Sequence, residues 1–222
     1  MADAKKKCSV KGPKHTLCRR VGYCLWGKPN CPTNSRTIKD RNGNDVQTKD
    51  RTYPAGQHGP TKRRGKLSTY GELLLEKQKL RTFYDVSEKQ LRFIYEDANK
   101  SEGITGDLLN AALEMRLMTV VYRSGLAPTI FAARQIISHR HILVDGKIVD
   151  RASYRLKPGQ VVSINESKSP IIASIAKGSD AILPTYLGRE KGELKVTVLH
   201  APQPEEIQNN VDVTKVVEFY AR

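Results

Sequence analysis

No stretch of this 222-residue chain approaches the roughly 18 consecutive apolar residues of a membrane-crossing helix. The lysines near its start are followed by no apolar segment of the kind that marks a secretory signal. The expectation is a soluble cytoplasmic protein with no membrane partner. Cysteine is scarce, four residues in all, and every one lies in the first 31 positions. That is too few and too local for a disulfide framework, which points to a reducing compartment. Also missing are a P-loop, a dinucleotide fingerprint, a nucleophile elbow and a zinc-hydrolase helix, so an enzyme is not expected. Asp107 and Asp145 are carboxylates a catalyst could use, but they read as first-turn charge and turn chemistry.

Acidic residues are scarce in one region in particular. Residues 1–66 carry 17 Lys and Arg against four Asp, and so hold +13 of the formal charge of +15. With few aliphatic side chains and frequent Gly and Pro, such a segment buries too little apolar surface to fold by itself and should order on a polyanion. Nucleic acid fits best, because each neutralised phosphate releases counterions along the backbone. An anionic membrane is disfavoured by the lack of an amphipathic face, and a sequence-specific DNA regulator by the lack of a recognition-helix pattern. The polar stretch 37–50, centred on Asn42-Gly43, reads as a solvent loop.

Beyond the basic third, apolar periodicity predicts helices. Thr69 with Glu72 forms a capping box ahead of Leu73, Leu74, Leu75 and Leu80, and Ser87 with Gln90 forms another ahead of Leu91, Ile94, Tyr95 and Ala98. A third helix follows Thr105-Gly106, with Leu108, Leu109, Ala112 and Leu113 on one face. A short fourth holds Val120, Val121 and Tyr122 and stops near Gly125 and Pro128. Strands are predicted over 161–164, 171–175 and 195–199, forming a small antiparallel sheet. Residues 211–220 read as a terminal helix that returns to the early helices. The fold class is α+β.

Residues 132–164 form the most informative unit. Ala132, Ala133, Ile136 and Ile137 recur at helical spacing, so Arg134, Gln135 and Ser138 face the other way. The helix runs into His139-Arg140-His141 and then a hairpin, 142–149, whose Asp145-Gly146 pair supplies the positive-φ turn. The unit is compact and edged with donors.

Several blocks together resemble the bacterial or organellar ribosomal protein S4 family. They are Tyr53-Pro54-Ala55-Gly56-Gln57-His58-Gly59, Glu76-Lys77-Gln78-Lys79-Leu80-Arg81, Ser87-Glu88-Lys89-Gln90, Val120-Val121-Tyr122-Arg123, Ala133-Arg134-Gln135, the 139–146 turn and Glu218-Phe219-Tyr220. Their order and spacing agree from about residue 12 onward. The resemblance implies a structural, small-subunit ribosomal RNA-binding protein that nucleates assembly of the subunit body. It further implies contact with ribosomal proteins S5 and S12, a contribution to translational accuracy, in some members binding to their own messenger RNA, and a cytoplasmic or organellar ribosome as the location. It reads residues 1–52 as a basic segment, 53–113 as a helical domain, 114–200 as the family's RNA-binding module with its small sheet, and 201–222 as a return to the helical domain. The alternative is an RNA-modifying enzyme or synthetase fragment carrying the same module. Three departures stand out: Arg116-Leu117-Met118-Thr119 where the family has Arg-Leu-Asp-Asn, Ile130 where an arginine is usual, and Arg140 in place of a glycine.

The candidate RNA face comprises Arg123, Arg134, Gln135, His139, Arg140, His141, Tyr154 and Arg155 in the module. In the basic loop and first long helix it comprises Gln57, His58, Lys62, Arg63, Arg64, Lys66, Lys77, Lys79 and Arg81. Arginine forks onto phosphate oxygens, while histidine and glutamine donate to phosphate or ribose hydroxyls. The competing readings are a helix cap for His139 or His141, core packing for Tyr154, and a solvated, ion-paired helix face for Lys77, Lys79 and Arg81. Zinc-carrying members of the family have Cys-x-x-Cys after Gly-Pro and two further cysteines. Here His15 takes the first position, Cys18 the second and Cys31 lies near the third, while Ser35 stands at the fourth. Cys24, or Cys8 in its stead, completes a set of one histidine and three thiolates for one structural zinc.

Overall fold

The computed structural model describes residues 15–27, 31–39, 45–49, 53–61, 66–178, 182–189, 193–207 and 209–222. Cys8, Lys62, Arg63 and Arg64 lie outside the described residues. By contact the chain divides into two units, Met1–Glu88 with Asn210–Arg222, and Lys89–Asn209. The sequence grouping placed 53–113 together, whereas the contact division falls at Glu88.

In the first unit, helix α1 (Thr16–Val21) precedes a turn whose Leu25 and Trp26 are buried with Cys18 and Cys31. So the basic third holds a small core of its own. Strands β1 (Ser35–Lys39) and β2 (Asp45–Lys49) pair antiparallel from Ser35 opposite Lys49 to Lys39 opposite Asp45. This corrects the reading of the stretch as a solvent loop over 37–39 and 45–49, while Asn42-Gly43 lie outside the described residues. Thr37, Ile38, Val46 and Thr48 favour extended backbone, so two polar runs can pair through their backbones.

Helix α2 (Thr69–Phe83) is capped by Ser68, whose Oγ accepts from the Gly71 N–H at 3.2 Å. The cap is thus one residue earlier than the Thr69 of the expected box. Its far end is closed by Asp85 at φ +47°, with the Asp85 N–H donating to the Thr82 carbonyl and the Val86 N–H to that of Arg81. That pair of bonds is a Schellman closure. Helix α8 (Val213–Ala221), capped by Asp212, packs along α2. Tyr70 and Phe219 stack at 5.9 Å, the Asp212 N–H donates to Glu76, and Tyr220 donates to Glu88 at 3.0 Å.

The second unit carries α3 (Glu88–Lys100, from Lys89 onward), α4 (Thr105–Glu114), α5 (Leu117–Arg123) and α6 (Ile130–Ser138). Leu91, Ile94, Tyr95 and Ala98 are buried, the face that periodicity marked on α3. A five-stranded antiparallel sheet follows: β3 (Ile142–Val144), β4 (Lys147–Ile148), β5 (Val161–Ile164), β6 (Leu187–Gly188) and β7 (Lys195–Val198), in the order β4-β3-β5-β7-β6. The strand expected over 171–175 is instead helix α7 (Pro170–Lys177). Proline at its first turn is preorganised for a helix, and the buried positions are Ala173 and Ala176, three apart.

Two polar clusters tie this unit together. Glu114 is only 1% exposed, and it accepts from Arg123 at 2.8 and 3.3 Å and from the Tyr186 hydroxyl at 2.9 Å. Burial and then the Glu114 charge push the Tyr186 phenol well above its ordinary value. Arg189 donates to the carbonyls of Ser124, Ala176 (2.7 Å) and Glu193 (2.9 Å), and so joins the C-terminal ends of α5 and α7, where a cation is favoured.

Candidate nucleic-acid interface and metal centre

Helix α6 starts at Thr129, whose Oγ1 accepts from the Ala132 N–H at 3.0 Å. Ile130, Ala133 and Ile137 are buried and Ala132 and Ile136 half-buried, so the stripe is rotated slightly from the sequence reading. Gln135, Ser138, His139 and Arg140 are exposed, and Arg134 and His141 are half-buried. The helix ends in a second Schellman closure, the Arg140 N–H donating to Ile137 and the His141 N–H to Ile136. His139 is the cap residue, as its competing reading allowed.

Arg140 therefore occupies the left-handed position at φ +63°. This explains the glycine usual there and costs an L-residue about 1–2 kcal/mol. Its guanidinium reaches Asp150 at 3.4 Å, with both groups exposed. The rings of His139 and His141 lie 6.1 Å apart, and His141 Nδ1 pairs with the Ser169 hydroxyl.

The hairpin turn has Asp145 at φ +49° and Gly146 at +78°, the geometry the Asp-Gly pair predicted. The Asp145 carboxylate accepts from the Val161 N–H at 2.9 Å and from Gln160 at 2.7 Å, bracing the hairpin tip against β5. These bonds, that of Val161 first, hold its carboxyl below the ordinary carboxylate value.

The remaining candidates separate into surface and core. Tyr154 is exposed, and Arg155 is exposed and bound to Asp97 on α3 at 2.7 Å. Arg123 is turned inward onto Glu114. On α2 the sequence reading placed Lys77, Lys79 and Arg81 on an open basic face; instead Lys77 and Lys79 are 6% and 9% exposed. Lys77 pairs with Glu88 at 2.8 Å and lies 4.2 Å from the centre of the Phe219 ring. Lys79 pairs with Glu76 and has its pKa raised, because burial, which lowers it, is outweighed by that carboxylate. Arg81 is half-buried and donates to the Val86 carbonyl. Lys77 is covered by Phe219, on the returning helix α8 and far away in sequence, whereas Lys79 and Arg81 are held by the nearby Glu76 and Val86.

Gln57, His58 and Lys66 are exposed. The loop carrying the first two is built closely, since a Cβ on Gly59 would stand 2.0 Å from the Pro54 carbonyl oxygen. Arg19 holds the same loop, donating to the carbonyls of Tyr53 and Pro54 at 3.1 Å each and lying 4.9 Å from the Tyr53 ring centre. Sequence reasoning passed over Arg19, since a basic side chain in a basic segment carries no distinguishing signal.

His15, Cys18, Cys24 and Cys31 converge, with their ligand atoms all within 4.8 Å of one another. Cys31 Sγ lies 3.2 Å from His15 Nδ1 and 3.0 Å from the Thr33 hydroxyl. Burial pushes the Cys18 thiol up to about 12. Burial also raises Cys31, but the hydrogen bonds from Thr33 outweigh it and the net shift is downward. Four zinc ligands in a tetrahedron stand about 3.3–3.8 Å apart for bonds of about 2.0–2.3 Å, so this donor set needs only a small contraction to fit that ion. The chain's single tryptophan, Trp26, packs edge-on to His15 at 5.7 Å between ring centres and donates its indole N–H to the Phe83 carbonyl.

Comparison with known proteins covers 95% of the chain. Residues 9–114 match the family described as Ribosomal protein S4/S9 N-terminal domain, and residues 115–162 match the S4 domain. Small ribosomal subunit protein uS4 of Thermobifida fusca is 42% identical over 215 residues, covering 95% of this chain and 98% of that protein. The proteins of the same name from Parabacteroides distasonis and from Wolbachia pipientis subsp. Culex pipiens are each 39% identical, over 95% and 96% of this chain and 98% and 99% of theirs. With the α6 end, the Asp-Gly hairpin and the antiparallel sheet in place, the chain belongs to the small ribosomal subunit protein uS4 family, whose members are structural components of the ribosome rather than enzymes.

Proposed function

We propose that this protein is a structural constituent of the small ribosomal subunit that binds its ribosomal RNA directly, and that it acts in the cytoplasmic ribosome. The observation that carries this reading is the match across 95% of the chain to proteins named for that subunit. In this reading the α6 end supplies register: Gln135, His139 and Arg140 stand exposed at one helix terminus, with Arg134 and His141 beside them. Arg140 donates two parallel N–H groups to phosphate, and the histidines and glutamine donate to phosphate or ribose hydroxyls. Tyr154, Arg155, Gln57, His58, Lys62, Arg63, Arg64 and Lys66 also contact RNA in this reading, whereas Lys77, Lys79, Arg81 and Arg123 are engaged by partners within their own units. The basic first third supplies most of the long-range attraction.

Nucleation of the subunit body, a role in translational accuracy and contact with ribosomal proteins S5 and S12 belong to the same proposal, as does binding to its own messenger RNA. No described helix is long and apolar enough to cross a membrane. The test is equilibrium binding of the full chain to small-subunit ribosomal RNA. Nanomolar, salt-sensitive affinity is expected, and binding no tighter than to an unrelated RNA of equal length would overturn the reading.

We also propose that His15, Cys18, Cys24 and Cys31 hold one structural zinc, which clips α1 to the turn carrying Trp26. When bound, the ion supplies charge to keep buried thiolates ionised and a cross-link that needs no large core. Metal analysis of purified protein should find one zinc per chain, and chelation should change Trp26 fluorescence. Less than about a tenth of a zinc per chain would end the proposal.

A further inference from the structure

Helix α3 presents one feature that neither its packing nor the RNA face at α6 explains. Phe93 is 63% exposed, on the side opposite the buried Leu91, Ile94, Tyr95 and Ala98. The chain has four phenylalanines, and Phe93 is the one exposed. Phe83 and Phe219 each make a ring contact with a tyrosine, while Phe93 has no ring or cation partner among the described residues. Isolated apolar residues occur on every surface, so the surroundings decide.

Those surroundings are charged. One turn before Phe93 stand Lys89 and Gln90, and one turn after stand Glu96 and Asp97, since residues three and four apart share a helix face. Both carboxylates are occupied, Glu96 by Arg92 at 3.1 Å and Asp97 by Arg155 at 2.7 Å. The ring is therefore bordered by Lys89 on one side and two guanidinium groups on the other, and no further large apolar side chain on α3 is exposed. A protein-binding hot spot would have apolar neighbours to bury with it. An aromatic face flanked by an exposed lysine and two ion-paired arginines suits a flat nucleobase carried on a phosphate backbone.

We infer that Phe93 is a stacking platform for an unpaired nucleobase in a single-stranded segment of the small-subunit ribosomal RNA, with Lys89 and Arg155 set to meet the phosphates on either side. Asp97 then acts as a positioning residue, because it holds the Arg155 guanidinium one helical turn from the ring. This inference rests on the ribosomal RNA reading above and adds a second contact area to it, on a different element from α6.

The test compares the full-length protein with F93A, F93L and F93Y for binding to small-subunit ribosomal RNA. It is combined with photocrosslinking to the same RNA transcribed with 4-thiouridine. Stacking predicts that F93A binds about tenfold more weakly, that F93L is almost as weak because it keeps apolar area without a π face, and that F93Y binds like the parent. Thermal unfolding of all four should coincide, because the ring is exposed. A photoadduct on the peptide containing Phe93, lost in F93A, would support the contact directly. Parent-like binding by F93A overturns the inference while leaving the ribosomal RNA reading intact. Parent-like binding by F93L together with no adduct also overturns it, since a π face would then contribute nothing to the contact. Failure of the parent itself to bind this RNA would instead overturn the reading on which the inference rests.

Discussion

At the scale of single residues, the most telling observation is an arginine in a conformation that favours glycine. Arg140 closes α6 at φ +63°, and its ion pair with Asp150 is too exposed to offset much of the strain. R140G should therefore raise stability by about 1 kcal/mol, read as a higher denaturation midpoint. The same change should weaken RNA binding severalfold, because a charged donor is lost. An arginine that only decorates the surface would give the first effect without the second. Asp145 makes a prediction in pH. Its native carboxyl lies below the ordinary value, so its contribution is present above the unfolded value of about 4 and is lost as pH falls through the lowered native one. D145N should flatten that part of the acid limb when urea midpoints are followed from about pH 5 downward. The Asp-Gly turn was legible in sequence because turn chemistry is local. The inward direction of Arg123 was not, because Glu114 and Tyr186 come from separate parts of the chain.

At the scale of elements, polar groups buried between helices do work that an apolar core would ordinarily do. Glu114 at the end of α4 receives Arg123 from α5 and Tyr186 from the segment before β6. Removing the carboxylate leaves a guanidinium and a phenol without their acceptor. E114A should thus cost about 3–5 kcal/mol, measured by chemical denaturation. The longest helices, α2 and α3, are readable because their apolar positions recur over three or more turns. The misreadings were short segments. Five residues, 171–175, with three isoleucines fit a strand template as well as a helix, and Pro170 with the small Ala173 and Ala176 facing inward decided for α7. The β1–β2 ladder was missed for the opposite reason, since backbone pairing joins two polar runs whose pattern shows no buried face. The four metal-candidate side chains had irregular spacing in sequence, and the turn after α1 brings their ligand atoms together.

At the scale of the whole molecule, charge is partitioned. The first 66 residues hold +13 of the net +15, so their deletion should reduce the slope of log affinity against log salt far more than replacing Arg134 and Arg140 with alanine. A slope unchanged by the deletion would place the phosphate contacts elsewhere. The topology has a consequence in time as well as in space. Because α2 pairs with α8 rather than with a neighbour in sequence, the first unit is interrupted by about 120 residues that form the second. During synthesis the intervening sheet and helices emerge uninterrupted and have their partners at hand. Lys77 and the apolar side of α2, by contrast, wait for Phe219 and Val216 to be translated. A domain of continuous chain therefore has its partners at hand before the one that begins ahead of it, and the turns of α8, made only after the whole second unit, are the ones that close α2.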